Sequence, residues 1–131
     1  MTKEKIYKIF LNEKHIGTSK LEKGDAPMGG VLGKLDFIAE NYGYKEIKEY
    51  CDINKIELIV DSPKEKMIST ITLGKMKVVN ENEIKIKAIG NQITGMNNDE
   101  YEISIFGIPY PFYETELYNL VKEYENRFKN D

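Results

Sequence analysis

Apolar residues in this chain recur either at every second position or at helical spacing, and the two periods divide it into elements. Lys5–Leu11 reads as a strand, with Tyr7, Ile9 and Leu11 on one face and Ile6 and Phe10 on the other, and is expected at a central position in a sheet. Asn12-Glu13-Lys14 turns the chain, and His15–Leu21 returns as a more polar strand, giving an N-terminal hairpin. Gly24–Gly33 holds four glycines and one proline, a composition that predicts a shaped loop. Leu35, Ile38, Ala39 and Tyr42 fall at i, i+3, i+4, i+7 and predict a short helix stopped at Gly43; Tyr44, Ile47, Tyr50 and Cys51 predict a second.

From Ile56 the period is two. Ile56, Leu58 and Val60 make one strand, Ile68, Thr70 and Thr72 the next, then Met76 and Val78, then Ile84, Ile86 and Ala88, with Gln92–Met96 continuing beyond a bulge at Gly90. Asn97-Asn98-Asp99-Glu100 turns into a strand carrying Tyr101, Ile103 and Ile105. Across the corner Gly107-Ile108-Pro109-Tyr110-Pro111-Phe112, a final amphipathic helix presents Leu117, Leu120, Val121, Tyr124 and Phe128 as its apolar stripe. Glu114 and Glu116 suit its first turn, and Arg127 and Lys129 its last. Strands this closely spaced leave no room for helical crossovers. The expected fold is therefore α+β: a single domain over residues 1–131, built on a mainly antiparallel meander of roughly five to seven strands, with two short helices after the hairpin and the C-terminal helix packed on the sheet.

Charge narrows the function classes. The 22 acidic and 19 basic residues leave a net charge of −3, and Arg127 is the only arginine, which argues against a general basic field and bidentate base reading; no nucleic-acid partner is expected. The one cysteine, Cys51, rules out an internal disulfide framework and fits a reducing compartment. The N-terminus lacks the apolar segment of a signal peptide, and no apolar run approaches the ~18–20 residues that span a bilayer, so a cytoplasmic protein without a membrane partner is expected.

The candidate chemistry is thin. Gly29-Gly30-Val31-Leu32-Gly33-Lys34 has neither the spacing nor the following Ser/Thr of a Walker A loop, and it is not the dinucleotide fingerprint. Asp61 at a strand end, with Glu83-Ile84-Lys85 on a later strand, can be compared with metal-dependent nucleases of the PD-(D/E)xK type, where carboxylates hold the metal and a lysine polarises water. Glu46-Ile47-Lys48 repeats that tripeptide on a helix, as chance allows in a Lys/Glu-rich chain. His15 is the only histidine, Cys51 sits on an apolar helix stripe, and residues 97–100 lack the frame of a calcium loop. No catalytic residue, cofactor or metal site is assigned.

Of the nine tyrosines, Tyr7, Tyr42, Tyr50, Tyr101 and Tyr124 occupy core positions of the pattern. Tyr110 and Tyr113 flank the proline corner, where they either cap the core end of the helix or supply interface area. The small, acidic form without an assembled active site is similar to bacterial immunity and inhibitor proteins, a likeness of class that covers no particular residues. The reading that follows is a non-enzymatic protein-binding module, one that neutralises a toxin or nuclease. Its partner-binding surface comprises Asp99, Glu100, Glu102, Tyr110, Tyr113, Glu114 and Glu116, and Asp25, Met28, Gly29 and Gly30 make loop contacts. The alternatives are a small metal-dependent hydrolase using Asp61, Glu83 and Lys85, and a homo-oligomeric structural protein.

Overall fold

The alternating segments pair antiparallel throughout, in a computed structural model that describes residues 5–40, 42–96 and 100–129. β1 (Tyr7–Leu11) and β2 (Lys14–Ser19) form the expected hairpin. Both turn residues, Asn12 and Glu13, have positive φ, the geometry that matches the twist of the flanking strands. The glycine-rich stretch is more regular than its composition predicts. β3 (Lys23–Asp25), a 3-10 turn (Ala26–Met28) and β4 (Gly30–Lys34) make a second hairpin.

The first predicted helix does not form. Its residues bridge the two sheets instead: the Leu35 N–H donates to the Tyr101 carbonyl at 2.9 Å, β5 (Asp36–Phe37) pairs with β2, and the Ile38 N–H donates to the Ile16 carbonyl at 3.0 Å. Long-range pairing takes the backbone groups that a helix would need, so tertiary context overrides the spacing. Gly43 therefore does not stop a helix but starts one. Its N–H donates to Glu46 Oε1 at 2.7 Å at the head of α1 (Tyr44–Ile53), which buries Ile47 and Cys51 as expected.

β6 (Leu58–Ser62), β7 (Met67–Thr70), β8 (Met76–Val79), β9 (Gly90–Met96) and β10 (Glu100–Phe106) follow. The predicted strand through Ile84, Ile86 and Ala88 is absent. Asn80 accepts the N–H groups of Asn82 and Ile84 on its side chain, Lys85 bridges Val79, the Ile86 N–H donates to the Val78 carbonyl and the Ile89 N–H to the Phe106 carbonyl, but these isolated bonds make no continuous ladder. Only Ile86 is buried there, while Ile84 and Ile89 face solvent.

The single meander resolves into two sheets. One has the order β5-β2-β1-β8, the other β3-β4-β10-β9-β7-β6. β1 is central, as its two apolar faces imply. An α+β fold results, with one hydrophobic cluster running from Tyr7, Ile9 and Leu11 through Ile68, Ile93 and Ile103 to Tyr113 and Leu117. The C-terminal helix is interrupted at Leu117 (φ −112°, ψ 41°), which separates α2 (Phe112–Glu116) from α3 (Tyr118–Lys129). Leu117 is buried and Leu120 and Val121 pack partly against the core, but Tyr124 is exposed, so the stripe is core only over its first turns. The side chain of Phe128 and the Asn97-Asn98-Asp99 turn lie outside the described residues. No described helix is long and apolar enough to cross a membrane.

Gly29 (φ 65°) has the carbonyl oxygen of Ile108 2.6 Å from where a Cβ would stand, whereas a Cβ at Gly74 would meet nothing within 4 Å. Gly29→Ala should therefore cost about 2–4 kcal/mol in chemical denaturation, and Gly74→Ala should stay within about 0.5 kcal/mol of wild type.

Candidate functional site

Past β10 the chain bends at Gly107 (φ 74°), and the buried Ile108 donates its N–H to the Gly29 carbonyl at 3.0 Å. The Tyr110–Pro111 peptide is cis. The rings of Tyr110 and Tyr113 stack with centroids 5.3 Å apart, and both hydroxyls reach the glycine hairpin: Tyr113 donates to the Gly30 carbonyl at 2.7 Å and Tyr110 to the Ala26 carbonyl at 2.8 Å. Close approach depends on missing side chains, since a Cβ at Gly24 would stand 2.8 Å from Leu120 Cδ1 and 2.9 Å from the Tyr113 hydroxyl. The two stretches of unusual composition in the sequence are thus the two halves of one contact.

The two tyrosines have different fates. Tyr113 is wholly buried and belongs to the core. Tyr110 is 47% exposed although its hydroxyl is anchored, and burial, then the Glu114 carboxylate, push that hydroxyl above its usual pKa. Pro109, Pro111 and Glu114 are exposed around it. Gly29 and Gly30 are buried beneath the corner; of Asp25 and Met28 the structure gives only the backbone, in β3 and the 3-10 turn.

Glu116, two residues on, faces the other way. Its Oε2 accepts the Tyr7 hydroxyl at 2.9 Å and the Lys5 ammonium at 3.3 Å, and its Oε1 accepts the Asn80 amide at 2.8 Å. Burial, then the bond to Glu116, raise the Tyr7 pKa well above its usual value. This carboxylate ties α2 to the four-stranded sheet and has no oxygen left over for a partner. Beside it opens a cleft of about 490 Å³, floored by Leu21, Leu117 and Leu120 and rimmed by charges of both signs, including Lys5 and Glu123.

Glu100 and Glu102 stand elsewhere, side by side on the outer face of β10. β10 is roughly 20 Å long at the usual rise per residue, so they occupy the end of the strand away from the corner. Asp99 lies outside the described residues. The structure gathers Tyr110 and Glu114 at the corner, Tyr113 and Glu116 inside, and Glu100 and Glu102 on the sheet. The seven residues do not form one surface.

Asp61, Glu83 and Lys85 are not brought together either. Asp61 on β6 receives the Tyr44 hydroxyl and pairs with Lys48 Nζ at 2.9 Å, both from α1. Glu83 and Lys85 belong to the Asn80 turn beside β8, in the other sheet. Among the described residues, no three His, Cys, Asp or Glu side chains group as a metal ion would require. Cys51 is buried, and desolvation raises its thiol, which makes it a packing residue. His15 stacks on Phe10 with centroids 4.9 Å apart, and Lys77 Nζ lies over the Phe10 ring, 4.9 Å from its centre.

Sequence reasoning missed Lys5, Tyr7 and Asn80 as partners of Glu116, and Tyr44 and Lys48 as partners of Asp61. Only the Tyr44–Lys48 spacing of four, on one helix face, carried a local signal.

The two corner glutamates should separate cleanly. Glu116→Ala leaves a buried tyrosine hydroxyl and an amide without their acceptor and should cost about 2–4 kcal/mol in urea unfolding, while Glu114→Ala stays within about 0.5 kcal/mol. The Tyr44 hydroxyl, then Lys48, hold the Asp61 carboxyl below its usual pKa. Its stabilising contribution is present above the unfolded-state value of about 4 and is lost as pH falls through the lower folded value. The stability difference between wild type and Asp61→Asn should therefore be largest near neutral pH and shrink in unfolding curves taken below about pH 4. Compared with protein families, curated proteins and solved structures, the chain matches none.

Proposed function

We propose that this chain is a non-enzymatic protein-binding module that engages its partner through the proline corner, with Tyr110 as the anchor and Glu114 beside it. The observation that carries this is the state of Tyr110: its ring is about half exposed, while its hydroxyl is bonded to Ala26 and its inner face is stacked on buried Tyr113. A large aromatic surface already held in one orientation loses little side-chain entropy when a partner covers it. Exposed Pro109 and Pro111 stiffen the backbone on either side. The acidic neighbour favours a basic partner, which fits an immunity or inhibitor protein that neutralises a toxin or nuclease in the bacterial cytoplasm by covering a cationic cleft. The metal-hydrolase alternative has no comparable support, because Asp61 is engaged by Tyr44 and Lys48 on a different sheet from Glu83 and Lys85.

The test is retention of a partner from the native host, or of a co-expressed neighbouring gene product, by wild type and by variants of unchanged melting temperature. Tyr110→Ala should weaken binding by about 30-fold, and Glu114→Lys should slow association and flatten its salt dependence. Equal retention by wild type and both variants, or no retained partner at all, sinks the reading.

A further inference from the structure

After β8 the chain turns at Asn80, runs back beside that strand for a single bridge, and then departs from it. Lys85 bridges Val79 and the Ile86 N–H donates to the Val78 carbonyl. Lys87 and Ala88 make no hydrogen bond to any described residue before the Ile89 N–H reaches the Phe106 carbonyl in the other sheet. The departure leaves a cleft of about 280 Å³ between residues 85–91 and the β7–β8 connection, close to the lower end of the range for ligand pockets. Buried Met76, Val78, Ile86 and Ile105 form its floor. Ile89, which also lines it, is 84% exposed, so a bound apolar group would cover a side chain that now faces water.

The polar side chains around the cleft differ in what they have left to offer. Asn91 is engaged by Leu73, accepting its N–H at 2.9 Å and donating to its carbonyl at 3.2 Å, and the Thr72 hydroxyl accepts the Asn91 N–H at 3.4 Å. Lys85 and Lys87 are exposed, and neither has an ion pair with a described residue. Among the described residues no carboxylate lines the cleft, in a chain with 22 acidic residues; Glu83 and Lys75, one of each sign, flank it along the sequence without lining it. The two lysines stand on either side of Ile86, about 7 Å apart along the chain, close enough to serve one anion. The N–H groups of Lys87 and Ala88 add donors beside them.

We propose that this cleft binds a small phosphomonoester, with Lys85, Lys87 and the Lys87 and Ala88 N–H groups at the phosphate and the apolar floor under the rest of the ligand. Two free cations match the roughly −1.5 to −2 charge that a phosphomonoester carries near pH 7. Lysine binds phosphate as a point charge, whereas paired recognition of a carboxylate draws on the arginine fork, and the only arginine, Arg127, is in α3. The volume limits the ligand to a compact body such as one ring. The site does not depend on the function proposed for the proline corner.

Phenyl phosphate, titrated into nitrogen-15-labelled protein and followed by heteronuclear NMR, tests this. Saturable shifts should centre on the Lys87 and Ala88 amides, with a dissociation constant on the order of 1 mM for so open a site. Inorganic phosphate, which lacks the ring, should bind at least about tenfold more weakly. The double variant Lys85→Gln/Lys87→Gln should weaken phenyl phosphate at least about tenfold, whereas Lys64→Gln/Lys66→Gln, on exposed lysines of the β6–β7 turn, should leave it unchanged. If the first pair lowers the melting temperature, Lys87→Gln alone replaces it. Three results overturn the proposal: no saturable shift at those amides, equal affinity in the Lys85/Lys87 and Lys64/Lys66 variants, or inorganic phosphate binding as tightly as phenyl phosphate, which would mark an adventitious ion only.

Discussion

Tyr113 is wholly buried, and there its hydroxyl can be satisfied only by an acceptor brought within bonding reach, which is the Gly30 carbonyl at 2.7 Å. The rest of the C-terminal third is arranged around that contact. It holds residues 108–113 against the β3–β4 hairpin, and it is feasible because Gly24 and Gly29 present no Cβ to Leu120, Tyr113 or Ile108. A buried hydroxyl left unpaired would cost about 1–3 kcal/mol, comparable to a large share of a small domain's net stability. With the corner held, the direction of α2 is set, and Glu116 is delivered to Tyr7 and Asn80 on the other sheet. One contact at the corner thus leads to a second that ties α2 to the four-stranded sheet.

Three carboxylates show how position, not residue type, assigns a role. Glu114 stays at the surface beside Tyr110. Glu116 is spent on structural bonds. Asp61 is paired on α1, in a partly exposed position where screening limits what the ion pair contributes. The acidic character visible in the composition is therefore distributed among unlike tasks, and only part of it remains available to a partner.

The chain crosses between its sheets at Leu35, where the backbone of β4 leaves one sheet and that of β5 joins the other. That crossing brings the inner faces of both sheets into one buried cluster.

Alternation by two was enough to place seven of the ten strands, because residues such as Ile9, Ile68, Ile93 and Ile103 must point inward whatever the strand order. The α1 stripe of Ile47 and Cys51 and the α+β class were legible for the same local reason. What a period cannot carry is pairing at a distance. The spacing of Leu35, Ile38, Ala39 and Tyr42 is helical, yet Tyr101 and Ile16 claim that backbone; Ile84, Ile86 and Ala88 alternate like a strand, yet the segment meets its neighbours only at isolated bonds. The same limit governs the site. Sequence alone marked the glycine stretch and the proline corner as unusual and determined that the helix beyond them would be amphipathic. Only the tertiary structure decided that the two stretches bind each other, that Tyr113 and Glu116 turn inward while Tyr110 and Glu114 face out, and that Glu100 and Glu102 lie a strand's length away, because burial is a property of what packs against a residue and not of the residue itself.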